Sequence, residues 1–192
     1  LLDRDPEKYV FYPADIAAIE EESCKMHEKT KLISMIYSNK TDLFGHRLRH
    51  IVAKTLIPEI GFADKIDFFG TGTENPIKNK SIGCNPYMFQ IAIENAKRQN
   101  YFADKILDCF ATGCIPVYWG CPNIGEFFDT RGILIFENPK ELTEILKSLS
   151  EEKYNSMFKY AKKNYKIAIE QYVCSDDYIY KKIIGKLTSK TL

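Results

Sequence analysis

The sequence predicts a doubly wound α/β domain, in which helices cover both faces of a parallel β-sheet. Three observations support this class. Short apolar runs alternate with helical segments through most of the chain. The runs are apolar almost throughout, as strands buried on both faces are. The 192 residues are also enough for one domain with a sizeable hydrophobic core. In such sheets a ligand binds outside the carboxyl ends of the strands.

Five apolar runs bounded by turn-forming residues are predicted as strands. They are residues 32–38 (LISMIYS), 65–70 (KIDFFG), 87–95 (YMFQIAIEN), 115–120 (IPVYWG) and 132–136 (GILIF). The polar segment TENPIKNKSIG, residues 73–83, is predicted as a loop between the second and third strands. The alternation with helical segments predicts that these strands form a single parallel sheet.

The segment HRLRHIVAKTL, residues 46–56, has the spacing of an amphipathic helix. Four apolar residues share one face and three basic residues lie away from it: Leu48, Ile51, Val52 and Leu56 against Arg47, Arg49 and Lys54. A second helix is predicted over residues 101–113, with Gly113 as its C-terminal cap. Capping residues predict three more. Their starts are Asn138, Ser150 and Ser175, and the last two helices end near residues 170 and 185.

Residues 1–30 are mixed in character and are interpreted as a connector, with a short strand near residues 9–12 and a helix around 15–27. The periodic domain spans residues 31–192. The chain opens with LLDRDPEK and lacks an initiator methionine. We therefore expect it to be a piece of a longer protein. Neither a signal peptide nor an apolar run of about 18 residues is visible, so membrane association is not apparent from this chain.

Charge and composition exclude several function classes. The formal net charge is only +1, which argues against a nucleic-acid-binding protein. The six cysteines form no Cys-x-x-Cys pair, which favours reduced structural thiols and a cytoplasmic setting. His46 and His50 are spaced for one helix face, but no acidic third ligand follows them, so no metal site is predicted.

Polar residues follow three predicted strands, and the topology should bring them to one edge of the sheet. The three segments are residues 38–47, 94–105 and 119–123. Arg47 suits a diphosphate through bidentate contacts. Lys105 and Asp104 lie near a helix N-terminus, where phosphate binds readily, and a carboxylate there can accept hydrogen bonds from sugar hydroxyls. The competing interpretation is that all three are solvated surface residues. Segment 119–123, Trp-Gly-Cys-Pro-Asn, is either a ligand-contacting turn or a tight turn beside a core tryptophan.

Residues 89–128, FQIAIENAKRQNYFADKILDCFATGCIPVYWGCPNIGEFF, resemble the donor-binding signature of the family 10 glycosyltransferases, the fucosyltransferases. That signature runs from a strand and Glu-Asn to Tyr-Val-Thr-Glu-Lys, an apolar helix and Ile-Pro-Ile-Tyr-Trp-Gly. The upstream Ser-Asn followed by Arg is similar too. The resemblance covers residues 32–149 and implies the Rossmann-like C-terminal domain of a GT-B glycosyltransferase, with the N-terminal acceptor domain outside this chain.

The resemblance implies a role for each matching residue. Arg47 and Lys105 would contact the donor diphosphate, and Asp104 would contact the donor's sugar part. Ser38, Asn39, Glu94, Asn95 and Tyr101 complete the implied donor site. This chain has Tyr-Phe-Ala-Asp-Lys where the family has Tyr-Val-Thr-Glu-Lys, so its acidic residue is one methylene shorter.

The implied activity is transfer of fucose from GDP-fucose to a glycan, lipopolysaccharide or capsule acceptor, with inversion. The implied mechanism uses no metal or other cofactor, and its catalytic base lies in the N-terminal domain, so this chain alone should be inactive. The compartment would be the cytoplasm, peripheral to a membrane at most, or the Golgi lumen in a eukaryote. Two alternatives stay open: a transferase for another nucleotide sugar, and a non-catalytic module that binds nucleotide sugars.

Overall fold

The computed structural model describes Ile19 and residues 21–173. Its centre is a five-stranded sheet in which every pairing is parallel, in the order β2-β1-β3-β4-β5. The strands are β1 (Lys31–Ile36), β2 (Ile66–Phe69), β3 (Tyr87–Ile93), β4 (Ile115–Trp119) and β5 (Leu134–Ile135). The predicted parallel sheet is confirmed, and each strand falls on a predicted apolar run.

Helices connect the strands and cover both faces. They are α1 (Phe44–Ile51), continued by a π-helical turn (Val52–Leu56) and α2 (Ile57–Glu59), then α3 (Ser81–Cys84), α4 (Asp104–Thr112), α5 (Pro139–Ser148) and α6 (Glu151–Ala168), which continues into a π-helical turn (Ile169–Val173). One face of the sheet packs against α1, α2, α5 and part of α6. The other packs against α4 and the end of α6. A doubly wound α/β domain is therefore confirmed.

The strand order contains a switch point between β1 and β3. The chain proceeds from β1 outward to β2, then returns to the other side of β1 to form β3 and continues outward through β4 to β5. The connections after β1 and β3 therefore leave the sheet toward opposite faces. A crevice opens between them at the carboxyl ends, which is where doubly wound sheets bind ligands.

Predicted helix caps agree with the structure where it describes them. The Asn138 side chain accepts a hydrogen bond from the Glu141 backbone N–H at 3.0 Å and begins α5. Ser150 accepts from the Lys153 backbone N–H at 3.1 Å and begins α6. Gly113 ends α4 with a φ of 75°. The strand near residues 9–12 and the helix from Ser175 lie outside the described residues.

Three local predictions are wrong. The helix expected to reach residue 27 is confined, in the described part, to a single short turn, Glu21–Ser23, because the His27 backbone N–H donates to the Thr112 carbonyl at the end of α4. The loop predicted over residues 73–83 ends in α3, which is too short to give a periodic signal. Arg49, expected to face away from the core, is 6% exposed, because the end of β3 supplies acceptors for its guanidinium group.

Candidate functional site

A cavity of about 440 Å³ opens at the switch point between the carboxyl ends of β1 and β3. Its walls come from the ends of these strands, the connection after β2, and helices α1 and α4. The volume is within the range of small-molecule sites. Five basic side chains and two carboxylates line it: Lys40, Arg49, Lys78, Lys80 and Lys105 against Asp104 and Asp108. Such a cleft attracts an anionic ligand.

Helix α1 forms one wall because it begins directly against the end of β3. The Gly45 backbone N–H donates to the Asn95 carbonyl at 3.0 Å. A Cβ atom at Gly45 would lie 1.8 Å from the Glu94 carbonyl oxygen, so only glycine allows this approach. The position of Gly45 brings Arg49, one helical turn later, over the end of β3.

Arg49 is fixed by backbone and side-chain acceptors from β3 and the residues after it. Its Nε and Nη2 donate to the Ile93 carbonyl at 2.9 and 2.5 Å, and Nη2 also donates to Asn95 Oδ1 at 2.8 Å. Burial lowers the pKa of Arg49, and the nearby Glu94 and Asp104 carboxylates oppose that effect. The guanidinium group is therefore a cation whose orientation on the cavity wall is set before any ligand arrives.

An acid–lysine network, formed by Glu94, Asp104, Asp108, Lys80 and Lys105, lies at the start of α4. Lys80 pairs with both Asp104 and Asp108, and its Nζ is 3.2 Å from Asp108 Oδ2. Lys105 Nζ is 2.7 Å from Asp104 Oδ1 and 3.7 Å from Glu94 Oε2. Although burial acts to raise it, Lys105 and Lys80 lower the pKa of Asp104 to about 2. Asp104 is thus ionised at neutral pH and shared by two ammonium groups.

Glu94 is the member of this network whose side chain is fully buried. Its Oε1 accepts a hydrogen bond from the Ala103 backbone N–H, the N-cap of α4, at 3.0 Å. Its Oε2 has no hydrogen-bond partner among the described residues. Burial raises the pKa of Glu94 to about 7, although Lys105 and the Ala103 N–H act to lower it. One N–H at the α4 N-terminus is therefore occupied by a protein carboxyl group.

The sequence-predicted site residues divide into two groups. Four of them line the cavity: Ser38, Asn95, Asp104 and Lys105. The other four lie outside its lining in the described chain: Asn39, Arg47, Glu94 and Tyr101. Glu94 is fully buried, and its Oε2 lies 3.7 Å from the ammonium group of Lys105, which lines the cavity. The predicted convergence of the first two segments on one edge is confirmed.

Arg47 is on the exposed side of α1. Its Nη1 donates to the Thr41 and Asp42 carbonyls, both at 3.0 Å, and so closes the turn before the helix. Arg49, two positions later, is the arginine on the cavity wall. A diphosphate contact by Arg47 stays a prediction, and this structure favours Arg49 for that place.

The segment after β4 contributes to packing. A Cβ atom at Gly120 would lie 2.5 Å from Glu94 Cγ and 2.6 Å from the Tyr118 hydroxyl, so this glycine makes room for two buried side chains of the protein. Trp119 stacks on Phe44 with ring centroids 5.4 Å apart. Both rings line a separate, mostly apolar cavity of about 510 Å³ between α1 and α5. For Trp119 and Gly120, packing is the interpretation that the structure supports.

Lys80 and Arg49 were missed by sequence reasoning. Lys80 lies in the segment predicted as a loop, and nothing in its spacing pointed to α4. Arg49 was assigned to the solvent face of its helix. Lys80 is placed at the cavity by its ion pairs with Asp104 and Asp108, 24 and 28 residues away, and no local pattern signals such pairs.

Cys84, Cys109, Cys114 and Cys121 are buried free thiols. Within residues 21–173, no group of three or more His, Cys, Asp and Glu side chains is arranged to hold a metal ion. In the same range, no helix has the length and apolar character needed to cross a membrane.

Comparisons with known proteins show the family of this chain. The model of the glycosyltransferase family 10 (fucosyltransferase) C-terminal region matches residues 26–176. An α-(1,3)-fucosyltransferase of Helicobacter pylori is 30% identical over 80 residues, which is 40% of this chain and 17% of that protein. α-(1,3)-Fucosyltransferase B of Drosophila melanogaster is 38% identical over 76 residues, 36% of this chain and 17% of its own. A GDP-fucose protein O-fucosyltransferase 3 of Xenopus tropicalis is 34% identical over 67 residues, which is 33% of this chain and 14% of that protein.

Solved structures agree with the fold. An α1,3-fucosyltransferase crystallised with GDP-fucose superposes with a TM-score of 0.53 at 20% identity, over 77% of this chain and 46% of that one. The C-terminal domain of a group 1 family glycosyl transferase from Francisella tularensis superposes with a TM-score of 0.50 at 16% identity. That match covers 86% of this chain and 97% of the solved domain. The match spans less than half of the solved fucosyltransferase and about one sixth of the curated relatives. This chain has the fold of a GT-B C-terminal domain, and it belongs to glycosyltransferase family 10.

Proposed function

We propose that this chain is the donor-binding part of a fucosyltransferase and that the cavity between β1 and β3 binds the diphosphate of GDP-fucose. The observation that carries the proposal is the lining of this cavity. Five basic side chains face two carboxylates there, at the position where doubly wound sheets bind ligands. Family membership supports a sugar nucleotide as the anion.

Five side chains on the cavity wall have a proposed task. Lys105 neutralises the diphosphate, and its side chain is 21% exposed, so it can reach a ligand without leaving its carboxylate partners. Arg49 offers a second cation whose orientation is already fixed. Asp104 accepts hydrogen bonds from hydroxyl groups of the donor's sugar part. Ser38 and Asn95 provide neutral polar contacts at the ends of β1 and β3.

The proposed reaction is direct displacement at the anomeric carbon with inversion. The acceptor oxygen forms the new glycosidic bond while the bond to the β-phosphate oxygen breaks, and a general base takes the acceptor proton. GDP leaves with its negative charge stabilised by the two cations. We propose that no metal or other cofactor is needed, because these cations supply the neutralisation that a bound ion would supply.

The organisation that we propose has residues 1–30 as a connector and residues 31–192 as the donor-binding domain. A glycan is the proposed acceptor, since two relatives are named α-(1,3)-fucosyltransferases. The matched part covers 46% of a solved fucosyltransferase, which supports the further proposal that these 192 residues alone transfer no sugar. Turnover of GDP-fucose with a glycan acceptor by this chain alone would contradict that statement.

The donor assignment is tested by thermal melting with GDP, UDP, ADP and CMP, each with and without EDTA. Ligand at about 100 times its dissociation constant adds roughly 2.7 kcal/mol to the free energy of unfolding. For a domain of this size we expect GDP to raise the melting temperature by roughly 5–10 °C, equally with EDTA. Equal shifts from all four nucleotides, or none from GDP, would contradict the assignment. A GDP shift that EDTA abolishes would refute metal independence alone.

A further inference from the structure

Glu94 is a buried ionisable group to which the proposed mechanism gives no task. Its carboxyl group is fully buried, yet only one of its two oxygens has a hydrogen bond. That bond comes from the backbone N–H of Ala103, the residue at the N-cap position of α4. The second oxygen points toward the Lys105 ammonium group at 3.7 Å, which is an ion-pair distance longer than a hydrogen bond. Glu94 therefore touches both the helix start and the principal cation of the cavity.

Acidic and basic groups alternate in the immediate surroundings of Glu94, and Lys40 and Lys78 line the cavity beyond them. Three carboxyl groups, those of Glu94, Asp104 and Asp108, face three cations, Lys80, Lys105 and Arg49. A diphosphate diester adds two negative charges on the cavity side of Lys105. These charges disfavour the ionised form of a carboxyl group beside Lys105, because like charges then lie close together in a poorly hydrated site. Of the three carboxyl groups, Glu94 has the least stabilised charged form, because its Oε2 accepts no hydrogen bond.

We propose that Glu94 is a positioning residue of the donor site, which holds Lys105 and the first turn of α4 in place and gains a proton when the donor diphosphate enters. This inference rests on the proposed function and deepens it. The proton comes from solvent and is bound at Oε2, and it returns to solvent when the nucleotide leaves. Donor affinity then depends on pH through a group that never touches the donor.

Among the ionisable groups named around Glu94, Glu94 itself is the group that changes charge near neutral pH. Asp104 is ionised, its pKa being lowered to about 2 by Lys105 and Lys80 against the effect of burial. Burial raises the pKa values of Tyr101, Tyr118 and Cys121 above their ordinary range. Arg49 and Lys80 stay protonated. His46, on the cavity wall, has a pKa lowered by burial and by Arg49, so it titrates below its ordinary 6.5.

These pKa values decide whether donor affinity rises or falls with pH. The burial that raises the pKa of Glu94 to about 7 leaves roughly half of the free protein protonated there at neutral pH. The bound donor favours the protonated form, so affinity is highest below pH 7. As pH rises from 7 to 8, binding must draw a proton from an increasingly ionised Glu94, and affinity falls, at most about tenfold per pH unit.

Calorimetric titration with GDP-fucose tests this inference. Both phosphates of a nucleotide sugar are diesters, so the ligand keeps its charge between pH 6.5 and 8. Titrations at pH 7 in two buffers with different ionisation enthalpies count the protons taken up. We expect uptake of roughly 0.5 proton by the wild type and almost none by Glu94→Gln. The glutamine keeps an acceptor for the Ala103 N–H, and its affinity should not vary from pH 6.5 to 8. His46→Gln is the matched control and should retain the uptake.

Three outcomes overturn the inference. They are wild-type binding without proton uptake, equal uptake by Glu94→Gln, and loss of uptake in His46→Gln alone. The wild-type measurement decides the question even where Glu94→Gln folds poorly. If the wild type binds no nucleotide sugar at all, the proposed function fails first, and the inference that rests on it fails with it.

Discussion

Lys105→Ala is expected to weaken GDP binding roughly 10- to 150-fold, because a hydrogen bond to a charged group is worth about 1.5–3 kcal/mol. Lys105 lines the cavity and keeps its ammonium group between Asp104 and Glu94. Its removal takes away the cation and leaves both carboxyl groups facing the diphosphate. Calorimetric titration with GDP measures the effect.

Lys97→Ala is the matched control for that substitution. Lys97 pairs with Glu137 at the rim of the apolar cavity and lies outside the lining of the proposed donor site. Its removal takes the same charge from the protein and should leave GDP affinity within about twofold of the wild type, because surface substitutions away from a site have small effects. Equal affinity in Lys105→Ala and Lys97→Ala would refute the donor site.

Arg49→Ala should lower the free energy of unfolding by about 2–4 kcal/mol, because it strips donors from the Ile93 carbonyl and from Asn95 at a buried position. For a domain of this size the melting temperature should fall by roughly 5–15 °C. Arg49→Lys keeps the charge but cannot supply the same fork of donors, so it should recover only part of the loss. Thermal melting of the variants measures this.

Arg47→Ala is the comparison that separates the two arginines. Arg47 is exposed and holds only two carbonyls of the preceding turn, so its loss should change stability by about 0.5–1 kcal/mol and GDP affinity by less than about twofold. A large loss of GDP affinity in Arg47→Ala, with stability unchanged, would show that the diphosphate reaches outside the cavity described above. It would restore the role that the family resemblance implies for Arg47.

Much of the fold could be predicted because local signals and burial agree. The runs that became β1, β3 and β4 are apolar on both faces, and the caps at Asn138 and Ser150 form the hydrogen bonds that their residue types predict. The short helix α3 could not be predicted, because four residues carry no period. The strands and the capped helices are decided by local chemistry, which can be read from a single sequence.

The site was predicted only in part, because its geometry depends on contacts distant in sequence. Asp104 and Lys105 were placed correctly at the start of a helix. Helical periodicity placed Arg49 on the solvent face, since it does not register that α1 crosses the end of β3 and brings Arg49 against the Ile93 carbonyl, 44 residues away. The same reason hid Lys80, whose partners Asp104 and Asp108 are 24 and 28 residues away. Buried charges are located by their partners, and their partners are not local.

A crystal structure of this chain with GDP bound tests the central claim most directly. The claim is that the cavity at the switch point between β1 and β3 holds the donor diphosphate. The predicted result is electron density for both phosphates in that cavity, with a phosphate oxygen within about 3 Å of Lys105 Nζ. Density for the nucleotide in the apolar cavity beside Trp119, or beside Arg47 on the outer side of α1, would contradict it.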